Sequence, residues 1–323
     1  MKKKNEKIFI HNFPLTNSNR KLREHIKQNP DLDPQYILAS CAKDRTETRE
    51  WLESLWGRYE PYAEPNFLKN LRLKKNNGFH TFSWQMYLAT VLLEKGYELV
   101  PNNGTGPDIQ IIREGKNIWI EAIITTPGKD KEVDNSPRSG DIYKSLDPRV
   151  ARISNAFTKK YKKYKEKYLG KICKQGEPFL IAINGVNTQT LFRGRAIEAT
   201  VYGRGNDTFK KVNSGPFIGG FYELRESIEI EKEGRKVLIP TNYFCSSECK
   251  EVNGIIYCER HIINANNFGR TPEAELYFAK NSYAKNELGD FSIGNIIERA
   301  DDGAITRKAN LRDDIKSFES ISG

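Results

Sequence analysis

The chain has 323 residues, 37% hydrophobic and 29% charged, enough to bury a sizeable core beneath a strongly polar surface. Its 52 Lys and Arg outnumber 42 Asp and Glu, and the resulting net charge of +10 favours an acidic partner such as nucleic acid. No run nears the roughly 18 apolar residues of a membrane span, the charged start "MKKKNEK" lacks a secretory apolar core, and five cysteines, an odd number, fit a reducing compartment; the expectation is a cytoplasmic protein without a membrane partner.

Residues 1–75 are expected to form a helical N-terminal extension. "SNRKLREHIKQ" and "TETREWLESLWGRY" carry apolar residues at helical spacing, punctuated by Pro30, Pro34, Pro61 and Pro65. An α/β core is expected over residues 76–195. Its first helix is predicted in "FSWQMYLATVLLEKGYELV", with Ser83 as N-cap and Gly96 as stop. "YELV" reads as a short strand and "NNGTGP" as a loop. "DIQIIR" and "IWIEAII" then read as a hairpin turning at "EGKN". A polar loop over residues 126–146 leads to a long helix from Pro148 to Leu169 and a buried strand, "PFLIAING". Residues 196–323 read as a β-rich C-terminal region, either continuous with the core or a separate unit. There "AIEATVYG", "GPFIGGFYEL", "IEIEKEGRKVLIP" and "VNGIIYCERHII" suggest strands and hairpins, and the tail "SFESISG" is polar.

The hairpin carries the chemistry. With Gly115-Lys116 as its turn, Asp108, Gln110, Glu121 and Ile123 share one face, and the apolar residues from Ile109 to Ile124 line the other. Asp108 and Glu121 then become diagonal neighbours, about 7–8 Å apart at the backbone. Two such carboxylates suit Mg²⁺ or Mn²⁺, which take oxygen ligands and can acidify a bound water.

The segment from "WQMYLATVLLEKGYELV" through "GTGPDIQII" and "IWIEAI" resembles the PD-(D/E)xK restriction-endonuclease-like superfamily. The resemblance spans roughly residues 80 to 190. It implies a mixed β-sheet core flanked by helices, and a metal-dependent nuclease with Asp108 and Glu121 as the Mg²⁺ ligands. Two positions depart from the pattern. Gln85 stands where the family often has a helix glutamate, leaving it to position a metal-bound water, and Ile123 stands where the motif lysine belongs. The alternative is a degenerate member that binds nucleic acid or a protein partner without cleaving.

Some members of that superfamily supply the lysine from a neighbouring element. In the helix after residue 148, Val150, Ile153, Phe157, Tyr161, Tyr164 and Tyr168 form an apolar stripe. Arg152, Lys160, Lys163 and Lys167 lie on the adjoining stripe and are the candidate nucleic-acid contacts. Lys160 is nearest the apolar centre, about 20° from Ile153, so it is the expected replacement for the motif lysine, reaching along the core boundary. A second metal candidate is the Cys-x₃-Cys-x₈-Cys-x₂-His pattern of Cys245, Cys249, Cys258 and His261, a possible Zn²⁺ set.

Overall fold

The computed structural model describes residues 6–11, 13–75, 77–126, 146–186, 194–209, 220–232, 234–262 and 272–309. Most of the polar loop after Thr126 and the C-terminal tail lie outside them. Helices α1 (Asn19–Gln28), α2 (Pro34–Cys41), α3 (Thr46–Tyr59) and α4 (Phe67–Arg72) make up the N-terminal extension. Local chemistry starts two of them. Ser18 accepts from the Lys21 backbone N–H, and Asp33 accepts from that of Gln35 one residue before Pro34.

Helix α5 (Gly78–Glu94) is the central helix, and every residue from Ser83 to Leu92 is buried. It starts five residues before the expected cap, so Ser83 is inside the helix and its hydroxyl is buried without a partner. The apolar surroundings extend the helix past a residue whose chemistry favours a boundary.

Strands β1 (Glu98–Val100), β2 (Ile109–Arg113) and β3 (Lys116–Ile124) are followed by helix α6 (Asp147–Lys163) and β4 (Phe179–Asn184). Helix α7 (Arg195–Tyr202) replaces the strand expected at "AIEATVYG". Arg195 and Glu198 lie three residues apart on one helical face, but all of Ala196–Tyr202 is buried, and the helix packs against α6. Then come β5 (Arg204–Phe209), β6 (Gly220–Leu224), β7 (Ser227–Lys232), β8 (Arg235–Pro240), β9 (Gly254–Cys258), β10 (Leu276–Lys280), β11 (Asn295–Arg299) and β12 (Ile305–Lys308).

Eight strands form one mixed sheet in the order β1-β2-β3-β4-β9-β10-β11-β12, while β5-β6 and β7-β8 are separate hairpins. Strands β3, β4 and β9 run parallel at its centre. The C-terminal strands thus hydrogen-bond directly onto the hairpin-bearing half. One face packs on α5 and the extension, through Ile109, Ile120, Ala122, Leu180 and Ile256. The other packs on α6 and α7, through Trp119, Ile181, Ile183, Ile255 and Tyr257. Among the described residues no helix is long and apolar enough to cross a membrane.

The hairpin turns one residue earlier than expected, at Glu114-Gly115. Both have positive φ, 50° and 74°, the pairing of a two-residue primed turn. Ile109 pairs with Ile120 and Arg113 with Lys116, so Asp108 comes directly across from Glu121 instead of diagonal to it. Moving the turn by one residue shifts each partner by two, so the face assignment is unchanged.

Candidate active site

Asp108 is the last residue before β2, and its backbone is held from two sides. The Asn102 side-chain amide donates to the Asp108 carbonyl at 2.9 Å, and Gln85 Nε2 donates to the same oxygen at 3.0 Å. Gln85 is buried in α5 and also donates to the Tyr59 hydroxyl at 2.9 Å. Its amide therefore links the extension, the central helix and the loop that carries the aspartate. Asp108 Oδ2 accepts the Ala122 backbone N–H at 2.7 Å, which pins the carboxylate beside β3.

Glu121 lies in the middle of β3 and is fully buried on the face that meets α6. Ile123, on that same face, is half-buried and packs into the apolar cluster under the helix. Helix α6 brings two cations to these carboxylates. Lys160 Nζ is 2.6 Å from Glu121 Oε1 and 3.7 Å from Asp108 Oδ2. Lys163, one turn on, is 2.5 Å from the same Glu121 oxygen. The pairing follows from helix geometry, because residues three apart project from neighbouring positions on one face.

Lys163 is the last residue of α6, and a π-helical turn follows over Tyr164–Tyr168. A π turn closes an i to i+5 hydrogen bond, whereas an α-helix would send residue i+5 toward the far side. Tyr168 is thereby brought under Lys163, with the ammonium 5.0 Å from the ring centroid.

Burial and the neighbouring Glu121 carboxylate raise the Asp108 pKa, against the pull of Lys160, Lys163 and the Ala122 N–H. Burial opposes the Lys163 charge, but attraction to Glu121 outweighs it and holds that ammonium above its ordinary range. Glu64, between α3 and α4, joins the same field. Burial raises its pKa, Lys163 lowers it and Glu121 raises it. Its neighbours touch the Asp108 loop: Tyr62 O accepts the Asn102 backbone N–H, and Pro65 lies 3.6 Å from the position a Cβ on Gly104 would take.

Glu121 Oε2 is buried with no hydrogen-bond partner. An unpaired carboxylate oxygen in the interior is expensive, and together with Asp108 it provides the hard oxygen donors a divalent cation takes. The residues present fit such an ion. Among the described residues no three His, Cys, Asp or Glu side chains form a cation-binding group, so water and substrate oxygens would complete its shell.

Of the predicted basic contacts, Arg152 is half-buried two turns before Lys160, and Lys167 is exposed in the π turn. Lys163, expected on the adjoining stripe as a nucleic-acid contact, is paired with Glu121 at 2.5 Å. Glu64, Asn102 and Tyr59 were not anticipated. The Asn102-Asn103-Gly104 cluster is a recognisable turn signal, but nothing local marks Glu64 or Tyr59.

The zinc candidates do not converge. Cys258 packs on the sheet face covered by α5, whereas Cys249 is buried on the α6 and α7 side with Cys245 at its edge. Strand alternation sends Cys258 away from the other two thiols. His261 instead packs edge-on against His80, with ring centroids 4.4 Å apart.

The chain matches no protein-family model, no curated protein and no solved structure.

Proposed function

We propose that the chain is a metal-dependent nuclease of the PD-(D/E)xK type, with a restriction-endonuclease-like core. The observation that carries this reading is the Lys160 ammonium seated 2.6 Å from Glu121 and 3.7 Å from Asp108. A lysine from a helix would then do the work of the motif lysine that Ile123 replaces on the strand. Asp108 and Glu121 would hold Mg²⁺ or Mn²⁺, which when bound supplies an acidified water and neutralises charge on a phosphate. Lys160 orients the attacking water and stabilises the charge that develops in the transition state. Gln85 and Asn102 hold the Asp108 backbone so that its carboxylate stays aligned with Glu121.

Affinity for the phosphate backbone would come from the basic end of α6 and the segment after it. Lys159, Lys162, Lys165, Lys167 and Lys174 are exposed there, and such contacts are independent of sequence and sensitive to salt.

The test is cleavage of plasmid and single-stranded DNA or RNA with Mg²⁺ or Mn²⁺ by wild type, Asp108→Ala, Glu121→Ala and Lys160→Met. Each variant should lose activity by about 10²-fold or more. Equal cleavage by all four would sink the assigned site. The rival reading, a nucleic-acid or protein binder that does not cleave, draws on the charge balance, in which two ammonium groups already neutralise two carboxylates. Salt-sensitive binding with no cleavage under any metal would select it.

A further inference from the structure

Glu121 distributes its contacts unevenly. Oε1 takes both ammonium groups, Lys160 at 2.6 Å and Lys163 at 2.5 Å, while Oε2 is buried and takes none. Two like charges crowded on one oxygen repel each other, and a single cation would satisfy that oxygen as well. The two lysines are not equivalent. The Lys160 side chain is 14% exposed and also reaches Asp108, whereas that of Lys163 is 37% exposed at the mouth of the site.

The charge count matters because Glu121 is fully buried. Asp108 and Glu121 balance the two ammonium groups, and Glu64, in the same field, adds one further negative charge. A divalent cation added to that set leaves one uncompensated positive charge in a poorly solvated place. Withdrawal of one ammonium removes the excess, and the more exposed lysine leaves more easily.

Lys163 is held from a second side as well. While 2.5 Å from Glu121, its ammonium also lies 5.0 Å from the Tyr168 ring centroid, a cation–π contact brought about by the π turn and formed without Glu121. Glu64 is near enough for its charge and that of Lys163 to interact.

We propose that Lys163 is the exchangeable counter-cation of this site: it holds Glu121 in the metal-free protein and leaves it for a substrate phosphate when a divalent cation binds. This rests on the metal-dependent reading above and adds a residue-specific exchange to it. Lys160 stays with the carboxylates in both states. Lys163 is therefore a positioning residue that competes with the metal and then helps to seat the substrate.

The experiment titrates Mn²⁺, followed by the paramagnetic resonance of the free ion, into full-length protein without nucleic acid. The proteins are wild type, Lys163→Met, Lys163→Gln, Lys160→Met and Glu121→Gln. Both Lys163 variants should bind Mn²⁺ about tenfold more tightly than wild type, the scale on which neighbours of a metal ligand tune its affinity. The same variants should cleave more slowly at saturating Mn²⁺, with a raised KM for nucleic acid. Lys160→Met should tighten Mn²⁺ less. Unchanged or weaker Mn²⁺ binding by Lys163→Met, with wild-type binding abolished by Glu121→Gln, overturns the exchange and leaves the metal site standing. Tighter binding by Lys160→Met than by Lys163→Met overturns it as well. Absence of Mn²⁺ binding by all five proteins overturns both the exchange and the metal-dependent reading.

Discussion

Replacing His261 by Phe should flatten part of the protein's acid sensitivity. His261 follows β9 and packs edge-on against His80, near the start of α5. Burial, then the proximity of His80 and Arg45, lowers its pKa to about 3, against an ordinary value of 6.5. The folded protein therefore resists the proton that the unfolded chain accepts. The contribution is complete above pH 6.5 and is lost progressively as pH falls from 6.5 toward 3. At about 1.4 kcal/mol per pH unit, the loss at pH 5 is roughly 2 kcal/mol from this one side chain. His80 is shifted in the same direction by burial, with Asp33 opposing. Phe retains the aromatic packing, and since His261 Nδ1 is buried without a partner, no hydrogen bond is lost there. Urea unfolding followed by fluorescence of the four tryptophans, at pH 7.5 and 5.0 and constant ionic strength, measures the effect. Wild type should lose about 2 kcal/mol more than His261→Phe between the two pH values. General acid destabilisation of a basic chain is common to both proteins and cancels in the difference. Equal losses, or an NMR titration placing the His261 midpoint near 6.5, would refute the reasoning.

Asp108→Asn should stabilise the metal-free protein at neutral pH. A raised carboxyl pKa means the folded state keeps its proton longer than the unfolded chain, so stability falls as pH rises through that window. In EDTA the variant should melt a few degrees higher than wild type at pH 7.5 and at nearly the same temperature at pH 4; a lower melting temperature at pH 7.5 would contradict the assignment. Glu198, fully buried in α7, is held by Arg204 at 2.8 Å and by Arg307, so Glu198→Gln should cost about 3 kcal/mol or more in urea unfolding. Gly294 has φ of +61°, and an added Cβ would lie 2.3 Å from the Leu276 carbonyl oxygen. Gly294→Ala should therefore cost more than about 1 kcal/mol, read as a lowered denaturation midpoint, and a neutral result would mean the backbone there is free to relax.

Much of the site was legible from local pattern. Alternation along two short strands placed Asp108, Glu121 and Ile123 on one face, and an error of one residue in the turn left that unchanged because partners move by two. Helical periodicity put Lys160 at the border of the apolar stripe, which is where a long side chain can reach both core and carboxylates. The stripe itself, from Val150 to Tyr168, is buried apart from a half-buried Tyr161.

Other features required the fold. The segment Ala196–Tyr202 reads as a strand from its run of small, β-branched and aromatic residues, and burial on every side, against α6, β5 and β10, accompanies the helix it forms instead. The cysteines of the zinc pattern are close in sequence, yet the sheet separates Cys258 from Cys249 because its two faces are different environments. Glu64 and Tyr59 come to the site from 44 and 49 residues before Asp108, and no local spacing encodes such an approach. Sequence by itself determined which side chains share a face, since strand and helix periods are properties of the backbone. Tertiary structure alone decided which faces meet: that Lys163 joins Lys160 on one oxygen of Glu121, and that the other oxygen is left buried and bare.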